Sequence, residues 1–231
     1  MCASATSWML SKVVHNKGGL YNRLTEQIHL RTFCLRECEA YVKAAGLALN
    51  RNQILQYYMI FGGVPYYWGF LKKGLSLSQN IDSILFEKDA PLRDEFKYLY
   101  ASVFKKPENY VKIIEALGTK KVGMTREEII TSTKIPNSGD LTTKLEELES
   151  CGFIRKYNAF GMKKKNAIYQ LMDCFTLFYF KFLKSEPTDE HFWTNQINTP
   201  AVNTWLGLAF ERVCMEPVSY THLTLPTILL V

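Results

Sequence analysis

The stretch Tyr110-Val111-Lys112-Ile113-Ile114-Glu115-Ala116-Leu117-Gly118 opens the part of the chain that decides the fold, residues 109–171. Apolar side chains recur there at three- and four-residue steps, the spacing of one buried helical face, and Gly118 ends the run. A second helix starts at Thr125-Arg126-Glu127-Glu128, where the Thr125 hydroxyl and the Glu128 carboxylate form a capping box for orphan N–H groups. It carries Ile129 and Ile130 and stops at Pro136. The turn Pro136-Asn137-Ser138-Gly139 leads into a third helix from Asp140 to Leu148, closed by Cys151-Gly152. Two strands come next, Phe153 to Tyr157 and Asn166 to Leu171, joined by Phe160-Gly161-Met162-Lys163-Lys164-Lys165.

Three short helices and a basic-tipped hairpin are the pattern of a winged helix-turn-helix, whose third helix enters the major groove while the wing touches phosphates. Thr142, Thr143 and Lys144 on the third helix, Arg155 on the first strand, and Lys163, Lys164 and Lys165 at the tip are the candidate nucleic-acid contacts. The charge balance leaves a second partner class open. Residues 108–171 hold eleven Lys/Arg against eight Asp/Glu, and Glu146, Glu147 and Glu149 share the third helix. DNA contact and protein contact therefore both fit the sequence, with the lysines in the second case only solvating a tip.

Composition sets broad bounds. The 231 residues suit one or two domains, with 47% hydrophobic and 22% charged residues, and a net charge of +6 permits an anionic partner without requiring one. Cysteines at 2, 34, 38, 151, 174 and 214 form no CxxC pair, and no histidine completes a zinc set with Cys34 and Cys38. Scattered thiols of this kind, no signal-peptide pattern and no bilayer-length apolar run lead to the expectation of a cytoplasmic protein without membrane contact. His15, His29 and His191 are isolated, so neither a catalytic triad nor a metal site is expected.

Three strings carry a family resemblance: Cys2-Ala3-Ser4-Ala5-Thr6-Ser7-Trp8, Gly18-Gly19-Leu20-Tyr21-Asn22-Arg23, and Ile28-His29-Leu30-Arg31-Thr32-Phe33-Cys34-Leu35-Arg36-Glu37. Together with Gly62-Gly63-Val64-Pro65-Tyr66-Tyr67, the chain from about Cys2 to Glu216 resembles prokaryotic AAA-type ATP-binding proteins. In that group a P-loop ATPase core precedes a helical lid, a winged helix and a PD-(D/E)XK nuclease-like domain. The resemblance implies a mainly α fold: the remnant of an α/β P-loop ATPase core at 1–34, a helical lid at 35–107, and a winged helix-turn-helix with a small β-hairpin at 108–172. A helical connector and the start of the nuclease-like domain would occupy 173–217.

The same resemblance assigns roles. Ser4 and Thr6 would sit at the nucleotide as a polar sensor, although the family usually has glycine at Ala3. Arg23 would be an arginine finger, a guanidinium that stabilises charge on a transferring phosphoryl group. Glu211, in Leu208-Ala209-Phe210-Glu211-Arg212-Val213-Cys214, would be the first acid of the nuclease-like metal site, yet beyond it the chain holds a single acid, Glu216, and no lysine, short of the carboxylates and lysine such a site needs. ATP and Mg2+ are implied for the parent protein, together with a homo-oligomer through its ATPase core. No G-x-x-x-x-G-K-S/T occurs in the chain, and Gly18-Gly19 and Gly62-Gly63 lack a following lysine. The P-loop and the magnesium-holding acid are expected before Met1, so the chain alone is expected to bind no cofactor and not to hydrolyse ATP. A stand-alone winged-helix DNA-binding regulator is the alternative.

Along the lid segment the sequence predicts helices from Leu35 to Ala45, from Asn50 to Phe61, from Pro65, from Leu77 to Leu85 and from Leu92 to Phe104. Tyr66, Tyr67, Trp68 and Phe70 are assigned to packing rather than to an adenine platform. The aromatic run from Met172 to Lys184 predicts a helix needing cover on most sides, and another lies near Asn203 to Glu216. The run Val218-Ser219-Tyr220-Thr221-His222-Leu223-Thr224-Leu225-Pro226-Thr227 matches an in-frame translation of a sequencing-library transposon adapter, so residues 218–231, with His222, carry no functional expectation.

Overall fold

A computed structural model describes residues 30–158 and 167–215. Residues 1–29 of the segment read as the ATPase-core remnant (1–34), the hairpin tip with its three lysines, and the residues from 216 on lie outside the described residues. The elements are α1 (Leu35–Ala44), α2 (Arg51–Phe61), α3 (Pro65–Trp68), α4 (Leu77–Ile81), a π-helical turn (Asp82–Phe86) and α5 (Glu95–Val103). Next come α6 (Glu108–Gly118), β1 (Met124–Thr125), α7 (Arg126–Thr133), α8 (Gly139–Ser150), β2 (Ile154–Tyr157) and β3 (Ile168–Leu171). The last are α9 (Cys174–Phe178), a second π-helical turn (Tyr179–Leu183), α10 (Phe192–Gln196) and α11 (Pro200–Cys214). The fold is mainly α with one small antiparallel sheet, as expected, and among the described residues no helix is long and apolar enough to cross a membrane.

The described residues divide into two compact units, one of residues 96–173, the other of 31–95 with 174–215. In the first, α6 buries Tyr110, Ile113, Ile114, Ala116 and Leu117, the face its periodicity announces. The capping box of α7 forms as expected: the Thr125 N–H donates to the Glu128 carboxylate at 2.7 Å, and the Glu128 N–H to the Thr125 hydroxyl at 3.3 Å. The Lys120 ammonium also bonds Glu128 and, with the Thr125 N–H, holds its carboxyl below the usual range. The stabilisation from this lowered pKa is present at neutral pH and disappears as pH falls through the depressed value. Ser138 caps α8, which buries Leu141, Leu145 and Leu148. Helix α5 also packs in this unit, Tyr100 against Phe153 and Phe104 stacked on Tyr110 at 3.9 Å, so the unit takes in a helix grouped by sequence before residue 108.

The sheet runs β1-β3-β2, all antiparallel, with Met124 opposite Tyr169 and Ile154 opposite Leu171. Strand β1 has no counterpart among the expected elements. Two residues cannot display an alternation, and they become a strand only by pairing with β3. Gly123, just before it, has φ +84°, and a Cβ there would stand 2.4 Å from the Tyr169 carbonyl oxygen. Gly123→Ala is expected to destabilise this unit by roughly 2 kcal/mol through left-handed strain and the forced parting of β1 from β3. Urea unfolding followed by far-UV circular dichroism checks this, and an unchanged midpoint would refute it.

In the second unit, Asn50 and Gln53 form the capping box that opens α2, whose Ile54, Tyr57, Tyr58, Met59, Ile60 and Phe61 are all buried. The pair Gly62-Gly63 then serves chain packing. Gly62 ends α2 at φ 61°, ψ −156°, a region open essentially to glycine. A Cβ on Gly63 would stand 1.8 Å from the Phe33 carbonyl oxygen, and the Phe33 N–H donates to the Gly63 carbonyl at 2.7 Å. Pro65 occupies the first turn of α3, where its missing N–H costs nothing. Of the aromatics beyond it, Tyr67 and Trp68 are buried; the Tyr67 hydroxyl donates to Glu95 and the Trp68 indole N–H to the Gly62 carbonyl, while Tyr66 is exposed.

Two helices differ from expectation in the same way. The run predicted as one helix from Leu77 to Leu85 is α4 followed by the first π turn, and the aromatic run from Met172 is α9 followed by the second. A π turn inserts one residue into a helical run, which a count of apolar spacings does not resolve. The consequence is dense burial: all of Asp82, Ser83, Ile84, Leu85 and Phe86 are buried, as are Phe178, Phe182 and Leu183. The cover that the aromatic run required is supplied by α2, against which α9 lies, and by Trp193 and Trp205 of α10 and α11.

Candidate nucleic-acid interface

Helix α8 is held by its buried leucines on one side, so Gly139, Thr142, Thr143, Glu146 and Glu149 form the opposite, exposed stripe. Thr142 and Thr143 are thus presented to solvent as expected, and the Thr143 hydroxyl donates to the Gly139 carbonyl at 3.2 Å. Lys144 is placed differently. Its side chain is only 12% exposed, its ammonium bonds Asp140 one turn back, and it lies 5.4 Å from the centre of the Tyr110 ring. Tyr110 in turn donates its hydroxyl to Glu147; burial first, and then that carboxylate, raise the phenol above its ordinary range. Position 144 lies between two buried leucines of the helix, which turns its stem inward and uses its charge internally. With Lys144 so engaged, the outward charge of α8 comes from Asp140, Glu146 and Glu149.

The turn before α8 is fastened from α7. The Arg126 guanidinium donates from Nε to Asn137 Oδ1 at 3.0 Å and from Nη2 to the Ser138 carbonyl at 2.9 Å. Lys134 ends α7 in a left-handed conformation, φ 57°. These contacts orient α8 relative to α7 and expose its first turn and a half, the portion a helix-turn-helix brings to base edges.

On the sheet, Arg155 donates from Nε to Gln170 Oε1 at 2.8 Å and its guanidinium lies 4.8 Å above the Tyr157 ring. Gln170, which pairs with Arg155 across β2 and β3, is absent from the sequence-based candidates; a glutamine between Tyr169 and Leu171 in an alternating strand is the available signal. Lys163, Lys164 and Lys165 belong to the connection between these strands and lie outside the described residues, as do Ser4, Thr6 and Arg23. Glu211 sits exposed on α11. Among the described residues no group of three or more His, Cys, Asp or Glu side chains is placed to hold a metal ion. The space at Gly63 is filled by the Phe33 backbone, so the Gly62-Gly63 pair does not fit a phosphate. Family models, curated proteins and solved structures were compared with the chain, and none matches it.

Proposed function

We propose that residues 108–172 form a winged helix-turn-helix that contacts DNA, carried by a portion of a cytoplasmic AAA-type ATP-binding protein. One observation carries the first half of this reading. The order helix, short strand, two helices, two strands, with the first strand paired on the far side of the last, is the connectivity of that motif. The second half is supported by the sequence strings that resemble the AAA-type group, and in that parent ATP binding would rearrange the winged helix and the domain downstream of it. A stand-alone winged-helix regulator is the alternative for the same module. An upstream reading frame encoding a P-loop, sought by long-read resequencing of the locus, favours the ATPase parent; its absence favours the regulator.

A protein partner is the second reading, and a specific observation favours it: α8 turns its lysine inward and its acids outward. Salt separates the two. Fluorescence anisotropy of the full chain with a labelled mixed-sequence duplex is expected to show affinity falling steeply between about 50 and 200 mM salt, because each neutralised phosphate contributes about 0.9 to the slope of log K against log salt. Replacing Lys163, Lys164 and Lys165 together by alanine is expected to reduce that slope by about 2 to 3. Wild-type protein that shows no affinity at the lower salt would leave the protein-contact reading in place.

A further inference from the structure

The sheet of residues 96–173 has two unlike faces. Ile154, Tyr169 and Leu171 are buried toward the helices, so Arg155, Tyr157 and Gln170, which alternate with them, stand on the outer face. Gln170 is nevertheless only 4% exposed, because the loop of residues 120–122 lies over it. Its Nε2 donates to the Lys121 carbonyl at 2.6 Å while its Oε1 accepts from Arg155, and the Tyr157 hydroxyl donates to the Val122 carbonyl at 2.7 Å. One buried amide therefore joins the Lys121 backbone to the Arg155 guanidinium, and one phenol carries that guanidinium on its face while tying down Val122. The side chains of Lys121 and Val122 are exposed above this platform.

Charge divides the same way. The cations at the outer face are Lys121 and Arg155, since Lys156 stands on the other face over the Tyr169 ring, Lys120 bonds Glu128 and Arg126 holds the turn before α8, whereas the outward side of α8 carries Asp140, Glu146 and Glu149. A phosphate chain gains free energy where fixed cations release its counterions and loses it beside like charge. A guanidinium already held in plane by Gln170 and stacked on Tyr157 loses less freedom on binding than a solvated lysine does.

We infer that a nucleic-acid phosphate backbone lies on the outer face of this sheet, against Lys121 and Arg155 over Tyr157, and that α8 stays out of the groove. The inference rests on the DNA-contact reading above and reverses the expected use of Thr142, Thr143 and Lys144. Sequence preference is then weak, since backbone contacts position a protein without reading bases.

The test measures anisotropy of the full chain on a labelled duplex of about 20 base pairs at about 50 and 200 mM salt. Lys121→Glu is expected to weaken binding about tenfold at the lower salt and to reduce the salt slope by at least about 1. Arg155→Gln is expected to weaken it similarly, so the result does not depend on the folding of one variant, and unchanged urea midpoints identify the variants to be compared. The double variant Thr142→Ala with Thr143→Ala is expected to stay within about twofold of wild type, as is Glu146→Lys. A loss in the threonine variant as large as that of Lys121→Glu, or a tenfold gain in Glu146→Lys, overturns the inference while leaving DNA contact intact. No wild-type binding removes both.

Discussion

Replacing Asp82 by alanine is expected to destabilise the unit of residues 31–95 and 174–215 by about 3 kcal/mol. Asp82 is 1% exposed, and its carboxylate accepts the Trp193 N–H at 2.7 Å, the Thr194 N–H at 3.1 Å and the Thr194 hydroxyl at 2.5 Å. Trp193 and Thr194 lie in the first turn of α10, whose own N-cap, His191, provides no side-chain bond. The orphan N–H groups of a five-residue helix are thus capped by a carboxylate 111 positions earlier in the chain. Hydrogen bonds to an ionised acceptor contribute roughly 1.5 to 3 kcal/mol each and are not additive here, since one group makes all three. Alanine leaves a buried N–H without its acceptor. An asparagine in this place keeps one acceptor oxygen and loses the other, so Asp82→Asn is expected at about half the cost. Tryptophan fluorescence during urea unfolding reports mainly on this unit, because three of the four tryptophans, Trp68, Trp193 and Trp205, lie in it. A change below about 0.5 kcal/mol for alanine, smaller than that of one ordinary cap, would sink this account.

Phe178→Ala is expected to cost more, about 4 kcal/mol. Its ring is fully buried and meets Phe182 at 5.0 Å, Trp193 at 5.2 Å, Trp205 at 5.3 Å and Phe86 at 6.2 Å between centroids. These partners come from both π turns, α10 and α11, so truncation opens a cavity at a point where four segments meet. Large aromatic-to-alanine changes in such cores cost roughly 3 to 5 kcal/mol, the transfer term and the cavity term together. Phe178→Leu, which keeps most of the volume, is expected to cost under about 2 kcal/mol, the remainder being the lost edge-to-face contacts. Equal losses for leucine and alanine would show that aromatic geometry, not filled volume, governs the site. Because Asp82 and Phe178 share Trp193, the double variant is expected to depart from additivity.

Those two residues also mark where reading the sequence runs out. The aromatic run around Phe178 places it in a core but does not assign its partners. Asp82 reads as an ordinary polar residue near the end of a helix, and nothing near it in sequence indicates a helix to cap. Lys144 differs in another way. A lysine on the third helix reads as a candidate nucleic-acid contact, and its neighbours Leu141, Leu145 and Leu148 set a helix face that carries its stem inward, toward Tyr110 and Asp140. On the sheet, Arg155 is legible as a cation, but the glutamine that holds it and the loop that roofs it are not.

The features the chain determines by itself are those whose partners lie within one turn or one strand. The capping boxes at Asn50 and Thr125, the apolar face from Tyr110 to Leu117, the proline opening α3 and the two alternating strands all form where local spacing places them. Each depends on backbone geometry that any short segment carries with it. Tertiary structure alone decided strand β1, the two π turns, the tight approach of Gly63 to Phe33 and the Asp82 cap. Their energies come from groups far away along the chain, and a side chain acquires such a partner only once packing has set which way its helix faces.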